Sequence, residues 1–207
     1  MGLKWDAVRI RRWIRFFKNH LKEKARGLDF SMVQVTDIHY SEKNQSNYFG
    51  YCMTDEDVIK EIIGKVPLDR SKAAFVDIGC GKGMCLKVAE EMGFRKVSGI
   101  ELDHSLAEVG KRNMKKLNLK ADVIEANAID FPNYKDYDVF YLYSPFGRSV
   151  FEKVIERIVL SIEEKPRTVF VAYLHPLQHD LWLDAEFEKI DEGHDNIRNR
   201  EYYIYKR

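Results

Sequence analysis

No apolar run in this sequence approaches the roughly 20 residues that a membrane-spanning helix needs, and the N-terminus alternates Arg, Trp and Ile where a secretory signal would be continuously apolar. A cytoplasmic protein is expected. Cysteine is scarce: Cys52, Cys80 and Cys85 cannot all pair, and none sits in a C-x-x-C or a Cys/His cluster with metal-ligand spacing. They read as buried or idle thiols, and no metal site is expected. Internal repeats and low-complexity linkers are absent as well. Overall charge is almost nil, at +1, but it is unevenly placed. Residues 1–26 hold nine Lys/Arg against Asp6 and Glu23, a net of +7, which leaves about −6 for the rest of the chain. That balance disfavours a catalytic body built to track a nucleic-acid backbone.

What remains is an ordinary globular composition, 45% hydrophobic and 32% charged over 207 residues, enough for one domain with about six or seven strands. Ile10, Trp13, Ile14, Phe17 and Leu21 fall on one face of a helix over residues 4–24, with basic residues on the others. Three roles fit this basic amphipathic segment: packing on its own domain, lying on an anionic membrane surface, or docking on a partner or nucleic acid. Residues 27–53 read as loop-rich. Thr54-Asp55-Glu56-Asp57 then supplies an N-cap and first-turn acids for a helix running to about Gly64.

Beyond this point short apolar strands alternate with amphipathic helices: strand 73–78, helix 84–92, strand 96–101, helix 104–117, strands 121–126 and 137–143, helix 148–162, strand 167–174. Such alternation implies an α/β fold of the Rossmann-like, doubly wound kind, with a mostly parallel seven-stranded sheet. A brief helix at 177–182 and two strands at 185–190 and 201–206, separated by the turn-rich stretch Glu192 to Asn199, imply an antiparallel C-terminal edge. The division expected is an N-terminal helical and loop extension, 1–53, and a catalytic domain, 54–207.

The first strand ends in Asp77 and runs into Gly79-Cys80-Gly81-Lys82-Gly83 before a helix, at the sheet edge where open α/β folds bind ligands. Glycines at 79, 81 and 83 let a ligand approach the main chain, and the helix start offers free N–H groups. Glu101 ends the next strand, 22 residues after Gly79, where a carboxylate can accept both hydroxyl hydrogens of a ribose. A nicotinamide nucleotide is the competing ligand; its fingerprint wants glycine at position 84, which is Met84.

The runs VDIGCGKG (76–83), GIEL (99–102), IEANAIDF (124–131) and YLYSPFG (141–147) resemble, in order and spacing, the motifs of class I S-adenosylmethionine-dependent methyltransferases. The chain also resembles a group of small bacterial methyltransferase-like proteins through FVDIGCGKG, SPF and Pro166-Arg167. The resemblance implies S-adenosylmethionine as cofactor, with Asp77, Gly79, Cys80, Gly81 and Gly83 around its methionine end, Glu101 on the ribose, and Asn127 with Ala128 at the adenine. Asn127 stands where such families usually show Asp. Ser144-Pro145-Phe146 resembles the acceptor block of amino-methylating enzymes, with one proline fewer and Ser for the commoner Asn; Ser144 would lie at the donor methyl and Phe146 would stack on the acceptor. A rigid turn is the alternative.

Alignment supplies most of the rate in methyl transfer, so no dedicated base is required; Tyr51, Tyr143 and His175 are candidates by position. Tyr48 and Tyr51 are candidates for an aromatic lid. His39, His104, His179 and His194 suggest nothing specific. Three functions follow, in order: a methyltransferase acting on an amine of a protein or small molecule, a nucleic-acid methyltransferase, and a non-catalytic cofactor-binding module. Nucleic acid is read as an unlikely partner, and peripheral membrane contact through 4–24 stays open. Acceptor specificity is expected in loops 27–53 and 175–184.

Overall fold

A computed structural model of the chain describes residues 14, 17, 18, 20–30, 51, 53–195 and 199–207. Most of the basic segment at 4–24, His39, Tyr48 and Cys52 lie outside the described residues.

Two of the predicted helices open on a side chain that satisfies one of their first free amides. The Asp55 carboxylate accepts from the Asp57 N–H to open α1 (Glu56–Gly64), whose Ile59, Ile62 and Ile63 face inward. Strand β1 (Ala74–Ile78) follows, then α2 (Met84–Glu91), β2 (Lys96–Glu101) and α3 (His104–Leu117), capped by Asp103 accepting from Leu106 N–H. Strands β3 (Asp122–Glu125) and β4 (Val139–Tyr143) are separated by two 3-10 turns, Ala128–Asp130 and Tyr134–Asp136. The chain continues through α4 (Arg148–Glu164), β5 (Phe170–Leu174), α5 (His179–Asp184), β6 (Glu188–Asp195) and β7 (Arg200–Lys206).

The strands form one seven-stranded sheet in the order β3-β2-β1-β4-β5-β7-β6. Strands β1 to β5 pair in parallel and β7 pairs antiparallel to both β5 and β6, so the doubly wound sheet and its antiparallel C-terminal strand are present. Most boundaries fall within three residues of expectation, and the end of β6 differs most. Strand β6 runs on to Asp195, through residues whose composition signalled a turn, because each pairs with β7: Glu192 with Tyr203, Gly193 with Tyr202, His194 with Glu201. Gly193 serves this pairing, since the Tyr202 ring fills the space of a Cβ there. Long-range pairing overrides local propensity.

Alternation along the strands divides the core into two layers. Phe75, Val139 and Tyr141 join Ile59, Leu86 and Phe30 on one face; Val76, Ile78, Phe140 and Leu142 join Phe151, Val154 and Trp182 on the other. Asp77 is thereby carried into the first layer, 4% exposed, beside Tyr141 in register on β4. Leu28 and Phe30 are buried in that layer too. Ile14, Phe17 and Leu21 are exposed. No helix among the described residues is long and apolar enough to cross a membrane.

Arg167 ties the end of α4 to the loop before β4. Its guanidinium donates to the carbonyls of Tyr134, Tyr137, Ser161 and Lys165 and to Ser161 Oγ, at 2.8–3.2 Å. Burial pulls its pKa below the ordinary value, with Asp138 opposing. Arg167→Ala strands these acceptors and is expected to cost about 2–4 kcal/mol of unfolding free energy. Urea denaturation checks this, and cofactor affinity of the folded fraction should stay unchanged.

Candidate functional site

A cleft opens at the carboxyl ends of β1, β2 and β4, where the strand order reverses direction from β1. The turn after β1 is held to β2 by the Gly79 and Cys80 N–H groups, which both donate to Ile100 O at 2.8 and 3.0 Å. Gly79, Gly81 and Gly83 have φ of 84°, 52° and 85°, the left-handed region where a side chain is strained. A Cβ on Gly79 would meet Pro145 at 2.8 Å, and one on Gly81 would run into the Tyr51 ring.

Glu101, 6% exposed, accepts from Gly81 N–H at 2.7 Å through one oxygen and from Asp103 N–H at 2.9 Å through the other. The glycine turn and the acid predicted 22 residues apart are therefore in direct contact. Burial is the main cause that raises the Glu101 pKa, with the amide hydrogen bonds opposing. The Asp77 carboxyl is pushed up to about 8, chiefly by burial and next by the Glu101 charge. The sign follows from linkage: folded Asp77 keeps its proton well above the pH at which the unfolded chain loses it. Its stabilisation is complete below the ordinary carboxylate range and lost as pH rises through about 8. Stability to urea is expected to fall from about pH 5 to about pH 8 and to level off above, and Asp77→Asn should flatten that slope; urea titrations at several pH values check it.

Cys80, Asn127, Ala128, Ser144, Pro145 and Phe146 line the same cleft, whereas Gly83 does not: a Cβ there would face Met114 on α3 at 3.0 Å. Asn127 also caps the first 3-10 turn, accepting from Ile129 N–H at 3.1 Å. Ser144, with φ of 35°, donates from Oγ to the His175 carbonyl and lies 3.2 Å from the Tyr173 hydroxyl, which fastens the end of β4 to the end of β5. Phe146 is 7% exposed and packs edge-on against Phe151. Of the three candidate bases, Tyr51 and Tyr143 line the cleft, while His175 lies at its edge with φ of 56° and a pKa lowered by burial and by Arg200.

Several groups at the site carried no signal at the level of single motifs. Asn113, fully buried on α3, accepts from Asp29 N–H and donates to the carbonyls of Asp29 and Lys82. Lys82, 3% exposed, pairs with Asp29 at 2.6 Å, and Tyr51 donates to Phe30 O at 2.9 Å. Residues 28–30 are thus strapped to the glycine turn from 53 residues away. Gly99 is the fourth glycine of the site: a Cβ there would meet Cys80 at 2.5 Å. Its place two residues before Glu101 is the one sequence clue to it.

The cleft fits a nucleoside with an amino-acid tail. Tyr141, 2% exposed, places its hydroxyl at the cleft wall beside Asp77 in register, with Thr54 as a polar neighbour. At position 84, where a dinucleotide fingerprint needs glycine, the Met84 side chain lines the cleft instead. His104, Glu108 and Glu125 converge on the surface within 4.8 Å, but Lys111 already pairs with both glutamates.

Residues 41–174 match the family model for ribosomal RNA adenine dimethylases. The chain belongs to the ribosomal RNA adenine dimethylase family. It is thereby a member of an S-adenosylmethionine-dependent methyltransferase family, as its motifs implied. It is also similar to the ribosomal protein L11 methyltransferases of Shewanella sp. (strain ANA-3), 32% identical over 81 residues covering 31% of this chain and 28% of the relative. A second, from Dictyoglomus thermophilum, is 38% identical over 52 residues, 25% of this chain and 17% of the relative. The chain thus spans less than a third of the curated relatives it matches. Among solved structures, an L11 methylase from Lactobacillus delbrueckii superposes with a TM-score of 0.60 at 12% identity, over 77% of this chain and 81% of that one. An RNA methyltransferase from Salinibacter ruber, bound to S-adenosylhomocysteine, gives 0.58 at 16% identity, over 74% and 92%. These two likenesses establish the fold. The low standing given to nucleic acid as a partner is not favoured by the dimethylase family.

Proposed function

We propose that this member of the dimethylase family transfers methyl groups from S-adenosylmethionine to the exocyclic amine of adenine in RNA. The observation that carries the proposal is the family match over residues 41–174, which include the residues that line the cleft. In this reading Asp77, Gly79, Cys80 and Gly81 take the methionine end of the cofactor. Two of the roughly four acceptor positions of the Glu101 carboxylate are used by amides, which leaves acceptors for the ribose hydroxyls. Asn127 and Ala128 meet the adenine, and Ser144, Pro145 and Phe146 border the acceptor. The cofactor supplies the activated methyl; the protein supplies alignment and takes no proton through a dedicated base.

A second reading, a protein amine as acceptor, is favoured by the L11 methyltransferase relatives. In both readings the domain is residues 54–207 and 1–53 is its extension. One experiment separates the two: incubation with methyl-labelled donor, ribosomal RNA and ribosomal proteins, followed by mass spectrometry of nucleosides and peptides. Methyladenosine is the expected product. Label confined to peptides would transfer the assignment to protein, and no turnover with any acceptor would leave a binding module.

The acidic pair gives a further expected result. A sulfonium cation near Asp77 and Glu101 favours their ionised forms, so S-adenosylmethionine affinity should rise with pH up to about 8 and then level off. S-adenosylhomocysteine lacks that charge and should show a shallower slope. Calorimetric titration of both ligands across this range is the check.

A further inference from the structure

One edge of the cleft holds an aromatic ring, Tyr143, and a cation, Arg200, to which the motifs gave no role in holding the acceptor. Phe146, the residue expected to stack on the acceptor, is almost wholly packed against Phe151. Tyr143 differs: it is half-buried at the end of β4, lines the cleft, and shares a sheet face with Asp77 and Tyr141. The Arg200 guanidinium lies 5.1 Å from the centroid of its ring and donates to its hydroxyl. Arg200 opens β7 opposite Asp195 of β6, so the antiparallel hairpin reaches back to the cofactor cleft. Among the described residues Arg200 makes no salt bridge. His175 next to it is held toward its neutral form by burial and by Arg200.

A half-buried guanidinium with no carboxylate partner among the described residues, set against an aromatic ring at a cleft wall, is suited to an anion attached to a planar group. We propose that Tyr143 and Arg200 together recognise the acceptor nucleotide: the Tyr143 ring stacks on the target base and Arg200 contacts a phosphate beside it. This inference rests on the RNA reading above and names its recognition element. Arg200 also orients Tyr143 through the hydroxyl contact, so it acts on the base as a positioning residue as well as on the phosphate.

The test compares wild type with Arg200→Ala, Arg200→Lys, Tyr143→Phe and Tyr143→Ala, using a ribosomal RNA fragment as acceptor and S-adenosylhomocysteine calorimetry as the control for folding. Arg200→Ala is expected to raise KM for RNA by about 10-fold and to reduce the slope of log affinity against log salt by about one, with cofactor affinity unchanged. Arg200→Lys should keep the salt slope while losing part of the affinity, because a point charge lacks the planar fork. Tyr143→Phe keeps a stacking face and should stay within about 3-fold of wild type, whereas Tyr143→Ala should lose about 10-fold or more. Wild-type KM and salt slope in Arg200→Ala, on an enzyme that does methylate RNA, would overturn the inference alone. Failure of wild type to bind or methylate RNA would overturn the RNA reading and this inference with it.

Discussion

Gly81→Val is expected to abolish cofactor binding while leaving the fold in place. The residue has φ of 52°, and any Cβ collides with the Tyr51 ring, which is itself fixed by its hydrogen bond to Phe30 O. Valine adds a branched side chain to a left-handed position that already costs about 1–2 kcal/mol for an L-residue. The strain cannot relax away from the ligand, because Gly81 N–H is bound to Glu101 and its carbonyl lies 3.2 Å from where a Cβ on Gly110 would stand. A fall in S-adenosylhomocysteine affinity of about 100-fold or more is expected by calorimetry. Gly93→Ala is the control: φ is 88° and the surroundings are open, so it should lose stability without losing affinity. Equal losses at the two positions would mean that strain alone, and not the cleft, governs the result.

Glu101→Ala carries the second large effect, for two reasons that can be separated. The carboxylate offers charge-assisted hydrogen bonds to ribose hydroxyls, each worth about 1.5–3 kcal/mol, so affinity for both S-adenosylmethionine and S-adenosylhomocysteine should fall by about two orders of magnitude. It also organises the turn through Gly81 and Asp103, whose amides lose their acceptor. Glu101→Gln keeps one acceptor oxygen and places an NH2 group at the other. It should therefore recover only part of the lost thermal stability, since one of the two amides then faces a donor, and little of the affinity. Full recovery of affinity by Gln would assign Glu101 to holding the turn and not the ribose.

The parts of the fold carried by periodicity were legible in the sequence. Helices over 104–117 and the strand at 96–101 match their observed limits, because each has a strong apolar pattern and a punctuating cap: Asp103 before α3 and the left-handed Asn118 after it. The glycine turn and Glu101 were legible for a different reason, since positive φ and a strand-end acid leave residue types that little else explains. What composition hid was long-range. Gly193 and its neighbours look like a turn until Tyr202 is placed beside them. The strap at 28–30 has no periodicity; its role depends on Asn113 and Lys82, which meet it only in the folded chain. Tyr143 and Arg200, 57 positions apart, belong to the same class. Ser144-Pro145-Phe146 resembles an acceptor block and lines the cleft, but the local motif does not reveal that the Ser144 hydroxyl donates to the His175 carbonyl or that Phe146 packs on Phe151.

The central claim is a shared site: a glycine turn and an acid, brought together by β1 and β2, that hold one nucleoside. Backbone amide NMR during titration with S-adenosylhomocysteine tests it in one measurement. The account predicts that the Gly79, Gly81, Asp103 and Ala128 amides shift together with a single affinity, while those of α4 and the outer strand β6 stay in place. Shifts centred elsewhere, or an undisturbed Gly81 beside Glu101, would contradict it.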